Sequence, residues 1–487
     1  MSLERRYAGP AGRALDTASK RGAAYADAQV WEMSRDRLIV RNGVVRTVEN
    51  IASLGIGIRA FVDGSWGFAG TDALDDAGID RAADIAVALA RAGTRVPERI
   101  RAVEPTERYV DTYETPMKID PATVGLSQRV ALLLAAEKAL HVDPAIVSGT
   151  AFIFGWDDHK EFYSTKGSAI GQRLVRCGSG LRAEGVRGND TQRRSGPSDF
   201  GFFQAAGFEV VEQAKLVEHA AQYGREVMLL LGAETLPRGR TALILDGTLL
   251  NIQMHESIGH PLELDRALGW EANFSGVSWA TPDRVGKLRY GSDKLTIYCD
   301  NTLPGGMATS GYDDDGVKPR RVALIERGIL RGFESSRDTA AQTGLPQTAS
   351  MRAQNWASIP MVRISNIALA PGEGTLEQIV AETGDGVLMS GLRSWSIDDH
   401  RLNFQFGPEI AWEVKNGKRG KVFRNPTYTG VTPDFWGKLD RVSGASEFVA
   451  YGTPNCGKGE PGQIGHTTQA CSNARFADVL VGVKADA

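Results

Sequence analysis

Glycine is the residue type that most limits how this chain folds. The chain has 56 glycines among 487 residues, a share well above the average of roughly 7%. They are scattered along the sequence rather than arranged in tandem. Because glycine adopts backbone conformations that other residues avoid, it is typical of tight turns. The pattern therefore predicts many tight turns that connect short strands.

The composition is that of a globular, water-soluble protein, with 42% hydrophobic and 24% charged residues. The net charge of -3 gives no basic excess for nucleic acid or for an anionic membrane surface. The first residues lack the apolar core of a signal peptide, and no apolar run approaches the length of a membrane span. Four cysteines do not make a disulfide scaffold. We therefore expect a cytoplasmic protein that contacts neither nucleic acid nor membrane.

The order of helix and strand patterns predicts an α+β fold with two domains. A mixed α/β-sheet domain is expected over residues 1–235, ending in an amphipathic helix over 210–231. Within it, residues 146–165 are expected as strands with a turn at Asp157-Asp158, residues 173–187 as a strand pair around Gly178, and residues 188–198 as an exposed loop. From residue 236 to 487 the pattern is strand–turn–strand. This predicts a β-rich, antiparallel C-terminal domain that carries one helix at the motif described next and a second helix near residues 376–382.

The segment that carries chemistry is His255-Glu256-Ser-Ile-Gly-His260. Imidazoles are good zinc ligands, and a carboxylate beside them can accept a proton from a metal-bound water. Five residues of a regular helix rotate by about 140°, which would separate the two rings. A π-helical turn would bring them together again, and we favour this turn in a helix that breaks near Pro261. The alternative is a helix that ends at Gly259, with His260 extended before Pro261.

A catalytic zinc site needs a third protein ligand. The candidates are His400, His466, Cys456, Cys471, Glu263 and Asp265. We favour Cys456, because its glycine-rich loop can approach another element closely; Cys471 is the next thiol, whereas Cys177 and Cys299 fit a core. Without a metal, the two histidines would be helix residues bonded to backbone carbonyls.

Four further residues are candidates for substrate binding: Asp313, Asp314, Arg352 and His466. The acidic run 313–315 could bind a peptide N-terminus or orient a ligand histidine, or it could be a solvated turn that ends at Gly316. Arg352 could hold a substrate carboxylate or form an ordinary salt bridge. His466 lies near Cys456 in sequence and could line the same site.

Several segments in order resemble the zinc-bearing TldD branch of the TldD/PmbA family, over nearly the whole chain. They are residues 55–59 (GIGIR), 63–69 (DGSWGFA), 255–265 (HESIGHPLELD), 312–316 (YDDDG), 324–330 (LIERGIL), 360–366 (PMVRISN) and 456–458 (CGK), together with Arg352. Two details depart from the family pattern: the acidic run ends in Asp315 rather than glutamate, and Pro261 stands where glycine is expected.

The resemblance implies a cytoplasmic metallopeptidase with Zn²⁺ held by His255, His260 and Cys456, and with a zinc-bound water activated by Glu256. It implies a dimer, with a second copy or a metal-free homologue, that encloses a chamber reached by unfolded or short peptides. An alternative is a natural-product pathway hydrolase that cleaves a leader peptide or an amide-type bond of a small metabolite. A third hypothesis is an assembly or binding protein whose structural zinc has a closed, four-ligand shell.

Overall fold

The computed structural model describes residues 5–96 and 102–482. The fold is α+β, as predicted, with three large sheets and one two-stranded sheet. One sheet is built from residues before 205, and the others from residue 234 onward. No helix in the described ranges combines the length and the apolar character needed to cross a membrane.

The N-terminal sheet has eight strands, in the order β3-β2-β1-β5-β6-β4, with β7 and β8 also paired to β6. The strands are β1 (Tyr25–Arg41), β2 (Val44–Val62), β3 (Ser65–Thr71), β4 (Val110–Glu114), β5 (Ile146–Ser164), β6 (Ala169–Arg187), β7 (Asp190–Gly196) and β8 (Phe202–Gln204). All pairs are antiparallel except β4 with β6. Asp63 and Gly64 form the turn that joins β2 to β3.

The prediction of short strands is wrong for this sheet, where β2, β5 and β6 each have 19 residues. Several glycines lie inside the strands because a neighbouring ring occupies the space that a side chain would need. A Cβ on Gly55 would lie 2.2 Å from the Trp356 ring, and one on Gly178 would lie 2.2 Å from the Phe203 ring. These glycines therefore serve close packing rather than turns.

Further expectations for this half are also wrong. Residues 173–187 do not form a strand pair around Gly178, because they lie within the single strand β6. Residues 157 and 158 do not form a turn, because Asp157 and Asp158 pair with Arg173 and Arg176 on β6, at 2.8 and 2.9 Å. The expected exposed loop contains β7, in which Arg194 is buried and binds Glu226 and Glu409 at 2.7 and 2.9 Å. Charged residues that are neutralised by ion pairs thus lie within the strands of this sheet.

In the described part of this half, five α-helices cover the sheet. They are α1 (Ala8–Lys20), α2 (Asp76–Gly93), α3 (Leu126–Leu140), α4 (Glu209–Gln213) and α5 (Leu216–Leu230). The single helix predicted over 210–231 is interrupted at Lys215, whose φ of 45° is left-handed. Two buried clusters lie under these helices, one beneath α1 and α2 and one beneath α3 and α5.

The C-terminal half contains the remaining strands. They are β9 (Glu234–Thr235), β10 (Gly239–Leu245), β11 (Ile297–Asp300), β12 (Arg321–Glu326), β13 (Ile329–Leu330), β14 (Met351–Arg352), β15 (Met361–Val362), β16 (Asn366–Leu369), β17 (Gly386–Ile397), β18 (Asn403–Lys415), β19 (Lys418–Arg424), β20 (Tyr428–Val431), β21 (Leu439–Val442), β22 (Val449–Lys458), β23 (Gln463–Cys471) and β24 (Ala474–Val481). Most pairs are antiparallel, as predicted, but β10–β17, β16–β23 and β19–β9 are parallel.

One C-terminal sheet closes on itself, because the path β17-β10-β24-β20-β18 is completed by a β17–β18 pairing. The other large sheet runs β13-β12-β11-β16-β23-β22. The helices of this half are α6 (Gly247–Met254), α7 (Leu264–Ala267), α8 (Arg337–Thr343), α9 (Leu376–Thr383) and α10 (Thr432–Gly437). One large buried core, rich in aromatic rings, joins both sheets to α6.

Candidate metal centre

The helix that carries the two histidines changes its winding at the motif. Asp246 caps α6 by accepting a hydrogen bond from the Leu249 N–H, and the helix passes at His255 into a π-helical turn, His255–Gly259. A 3₁₀ turn, His260–Leu262, follows at Pro261. The prediction of a π-turn that breaks near Pro261 is confirmed. As a result the rings of His255 and His260 have centroids 4.8 Å apart and planes at 88°.

Polar contacts from neighbouring elements hold the π-helical turn in place. Tyr290 donates its hydroxyl to the Ser257 carbonyl at 2.6 Å, and the Trp436 indole donates to the Ser257 hydroxyl at 2.9 Å. The same hydroxyl donates to the Gln253 carbonyl at 2.6 Å. A π-turn leaves some backbone groups without their usual helical partners, and these bonds provide substitutes.

Cys456 reaches the histidines from the hairpin β22–β23. The register of this hairpin shifts between Thr453 and Cys456, and the bulge turns the thiol toward the π-helical turn. The Cys456 Sγ lies 3.8 Å from the His260 Nε2. The ligand atoms of His255, His260 and Cys456 all lie within 4.8 Å of one another, and the three residues are buried.

This donor set fits zinc. Two imidazoles and one thiolate match its preferred ligands, and bonds of about 2.0–2.3 Å in a tetrahedral site put donors roughly 3.5 Å apart. Within the described part of the chain, the cluster consists of these three side chains. A metal bound by them would therefore keep a position for water or substrate, as catalytic zinc sites do.

The electrostatics of the cluster favour a cation. Burial lowers the pKa of His255, but the Cys456 thiolate and Glu256 outweigh burial and raise this pKa to about 9. Burial raises the pKa of the Cys456 thiol, yet His255 and His260 beside it hold that pKa well below its ordinary value. Without a metal, the site therefore contains a thiolate next to protonated imidazole, and a metal ion would have to displace that proton.

Glu263 orients His260 from behind. Its carboxylate accepts a hydrogen bond from the His260 Nδ1 at 2.9 Å and another from the Ile364 N–H at 2.9 Å. With Nδ1 engaged in this way, Nε2 faces Cys456. Burial opposes the charged form, but Lys458, His260 and Arg266 hold the pKa of Glu263 well below its usual value. Such carboxylate–imidazole pairs fix the ring and its tautomer at metal sites.

Lys458 ties the Cys456 hairpin to the His260 segment. Its Nζ lies 2.7 and 2.9 Å from the two Asp265 oxygens and 3.4 Å from Glu263, and it donates to the Val362 carbonyl at 2.6 Å. The side chain is fully buried. The fixed position of Cys456 therefore depends on a buried ion pair two residues farther along the strand.

Glu256 lies in the π-helical turn, next to His255, and is 6% exposed. Its Oε2 is 3.0 Å from a terminal nitrogen of Arg401, in the turn between β17 and β18. Arg401 has a left-handed φ of 60°, and Thr432 donates its hydroxyl to the Arg401 carbonyl at 2.9 Å. Sequence reasoning missed Arg401, since nothing near residue 401 indicates a partner 145 positions away.

The other candidate ligands lie outside the cluster. Asp265 pairs with Lys458, and the Cys471 thiol points at the Gly247 carbonyl, 3.7 Å away. Glu263 contacts His260 as described, and His400 is exposed. The core placement of Cys177 and Cys299 is confirmed by their burial.

The acidic run Asp313–Asp315 is not a solvated turn, because all three carboxylates are buried. Asp314 binds Lys160 of the N-terminal sheet at 2.6 Å, and Asp315 pairs with Arg59 of the same sheet. Asp313 and Asp314 also accept hydrogen bonds from backbone N–H groups of the same half. The run therefore joins the two halves of the molecule.

Arg352 and His466 lie on the other side of β23 from the metal cluster. Thr467 is 3.5 Å from the His255 Nδ1, and successive strand side chains point to opposite faces. His466 accordingly packs on Trp156, with ring centroids 4.8 Å apart. Arg352 binds the backbone carbonyls of His466 and Ile364 rather than a carboxylate. The four candidate substrate-binding residues line one cavity between the two halves, and their role in binding substrate stays a prediction.

Comparison with known proteins finds the TldD/PmbA family again, over most of the chain. Models of three PmbA/TldA metallopeptidase domains match this chain. Domain 1 matches residues 32–90, the central domain matches residues 119–223, and the C-terminal domain matches residues 238–478. A metalloprotease of Methanocaldococcus jannaschii is 26% identical over 436 residues, covering 89% of this chain and 92% of the relative. A protein of Saccharolobus solfataricus named zinc metalloprotease TldD homolog is 23% identical, covering 88% and 91%.

The fold of nearly the whole chain agrees with a solved structure. TldE from Thermococcus kodakarensis superposes with a TM-score of 0.73 at 17% identity, covering 96% of this chain and 98% of that one. With three successive domain matches in the order of the chain, this protein belongs to the PmbA/TldD family of metallopeptidases.

Proposed function

We propose that this chain is a zinc-dependent peptidase that hydrolyses peptide bonds of unfolded or short peptides. The observation that carries the proposal is the buried cluster of His255, His260 and Cys456, whose ligand atoms lie within 4.8 Å of one another, beside the carboxylate of Glu256. The zinc metalloprotease named among the relatives supports the choice of metal.

The proposed mechanism assigns the proton transfers to Glu256. Zinc, when bound, supplies Lewis acidity toward the scissile carbonyl and toward a water molecule. Glu256 accepts the proton of the attacking water and delivers it to the leaving amine. Arg401, 3.0 Å from Glu256, holds the carboxylate in position. Glu263 keeps the His260 ring fixed through its bond to Nδ1.

The structural-zinc hypothesis has less support. It requires His466, Cys471 or Asp265 to complete a closed shell. In the fold, Asp265 is neutralised by Lys458, Cys471 contacts a carbonyl of α6, and His466 faces away from His255 across β23. A site with three ligands and one open position is the arrangement of catalytic rather than structural zinc.

The test combines metal content with peptide cleavage for the full chain. Glu256→Gln should retain zinc and lose activity by about 10²–10⁴-fold. Cys456→Ala should lose zinc, whereas the control Cys471→Ala should keep it, since Cys471 is equally buried but lies outside the cluster. Undiminished cleavage by Glu256→Gln, or full zinc content in Cys456→Ala, would refute the proposal.

We further propose that the active form is a dimer, with a second copy or a metal-free homologue, which encloses the site. Exposed aromatic side chains near the site support it: Trp270 is 45% and Phe274 60% exposed. Their loop hydrogen-bonds the turn that carries Arg401, through Val277 and the Asp399 carbonyl. Exposed apolar surface of this kind suits a partner chain or an unfolded peptide. Native mass spectrometry of the chain expressed alone distinguishes a homodimer from a chain that needs a different partner.

A further inference from the structure

A cavity of about 230 Å³ lies between the N-terminal sheet and the hairpin β22–β23. Trp31 and Arg35 on β1, and Trp156 on β5, contribute to its N-terminal wall, and Arg352 and His466 to its C-terminal wall. His466 extends from the face of β23 opposite to Thr467, which contacts His255. The cavity is therefore separated from the metal cluster by the strand itself.

More cations than carboxylates line this cavity, and not all of these cations are paired. Among its cations, Lys160 pairs with Asp314 at 2.6 Å, and Arg176 pairs with Asp158 at 2.9 Å. Arg35 makes no side-chain hydrogen bond or ion pair with any residue in the described ranges 5–96 and 102–482.

Arg352 is also without a carboxylate partner among the described residues, because its terminal nitrogens bind the carbonyls of His466 and Ile364. Burial and the neighbouring guanidinium of Arg363 lower its pKa to about 10. Two guanidinium groups, Arg35 and Arg352, thus line one cavity without an ion-pair partner among the described residues. The remaining carboxyl group of the lining, Asp313, accepts hydrogen bonds from backbone N–H groups, and burial raises its pKa to about 8.

Buried polar atoms without partners gather at the same place. They are Trp31 Nε1, Arg35 Nε, Arg352 Nε, His466 Nδ1 and Asp158 Oδ1. Buried polar groups nearly always have a hydrogen-bond partner. Three of these atoms are obligate N–H donors, so the partner that they lack is chiefly an acceptor. Burial and the guanidiniums of Arg176, Arg35 and Arg352 hold the pKa of His466 well below its ordinary value, as expected where positive charge is in excess.

We propose that this cavity binds a small oxyanion, a carboxylate or phosphate group, through Arg35 and Arg352. Guanidinium groups bind both anions with paired N–H donors, and more strongly in a buried setting than at a surface. The anion comes either from the carboxyl terminus of a short peptide or from a free inorganic anion. The anion site goes beyond the proposed peptidase activity, because it lies on the other face of β23 from the metal cluster. Binding of an anion there is measured without turnover.

Isothermal titration calorimetry of the full chain tests the proposal with three probes. These are inorganic phosphate, an N-acetylated dipeptide with a free carboxyl terminus, and the same dipeptide amidated. Phosphate or the free acid should bind, and the amide should bind at least about tenfold more weakly than the acid. Arg35→Gln should weaken binding of the anion by about tenfold or more. The control Arg331→Gln removes an equal charge from an exposed pair with Glu326 and should leave binding unchanged.

Each outcome of these titrations either supports or overturns the proposed anion site. Binding of phosphate that Arg35→Gln weakens identifies a site for free anions. Preference for the free acid over the amide, also lost in Arg35→Gln, identifies the peptide carboxylate. Absence of binding by phosphate and by the free acid overturns the proposal, as does an unchanged affinity in Arg35→Gln. Should that variant fail to fold, the titrations of the unmodified chain with the three probes still decide between binding and no binding.

Discussion

Replacing Lys458 by methionine removes one charge from the centre of a buried cluster. The Lys458 Nζ contacts both Asp265 oxygens at 2.7 and 2.9 Å and the Val362 carbonyl at 2.6 Å. Asp265 is 4% exposed, and burial raises its pKa while Lys458 lowers it. Methionine keeps the unbranched stem but leaves the Asp265 carboxylate without its cation.

The expected loss of folding stability follows from these contacts. Breaking a buried ion pair by removing one partner costs about 3–5 kcal/mol. The Glu263 carboxylate loses less electrostatic stabilisation than Asp265, because Arg266 at 3.3 Å and His260 at 2.9 Å remain beside it. We therefore expect Lys458→Met to lower the free energy of unfolding by about 3–5 kcal/mol, measured by urea denaturation with tryptophan fluorescence.

A double-mutant cycle isolates the interaction energy between Lys458 and Asp265. Because Asp265→Asn removes the charge that Lys458 neutralises, Lys458→Met should cost about 0.5–3 kcal/mol less in that background. The control Lys415→Met breaks a pair of 2.6 Å in which both side chains are more than half exposed, and it should cost less than about 1 kcal/mol. Additive effects in the cycle, or a Lys458→Met variant as stable as the control, would refute the reasoning.

Three further predictions concern the surroundings of the site and the packing of the sheet. Glu263→Gln removes the negative charge behind His260 and should weaken zinc binding about 10–100-fold, measured by competition with a chromophoric chelator; an unchanged zinc affinity would show that Glu263 does not tune this ligand. Burial raises the pKa of Glu334 to about 7, so between its unfolded and folded pKa values the folded chain keeps a proton that the unfolded chain releases. The free energy of unfolding should therefore fall as pH rises through this window, by up to about 1.4 kcal/mol per pH unit. Urea titrations across the window should show a smaller fall for Glu334→Gln than for the unmodified chain. Equal slopes of the free energy of unfolding against pH would contradict this. A Cβ at Gly67 would lie 2.0 Å from the Ala86 carbonyl, so Gly67→Ala should destabilise the fold by about 1–3 kcal/mol. A Cβ at Gly12 in α1 would meet no described atom within 4 Å, and Gly12→Ala should raise the melting temperature instead.

The local part of the metal centre could be predicted from the sequence. Two histidines five residues apart cannot share a face of a regular helix, which indicates a π-turn, and the following proline indicates where the helix changes. The approach of Cys456 depends on the bulge in β22 and on the ion pair of Lys458 with Asp265. Those contacts join segments about 190 residues apart, so periodicity and turn signals could not provide them.

The lengths of the N-terminal strands could not be predicted for a related reason. Charged residues normally indicate a turn or an exposed loop, and Asp157-Asp158 and the segment around Arg194 both have that character. In the fold their charges are neutralised by residues on neighbouring strands or in the other half, such as Arg176 and Glu409. A single sequence shows the charge but not the partner that allows it to be buried.

The buried aspartates 313–315 determine how this protein can be divided. Asp314 depends on Lys160, and Asp315 on Arg59, both from the N-terminal sheet. A fragment that starts near residue 236 would expose these carboxylates or bury them uncompensated, even though it contains the complete metal cluster. Truncation between the halves is thus a poor route to a smaller protein that keeps the metal cluster, and circular permutation that keeps both halves on one chain is the better one.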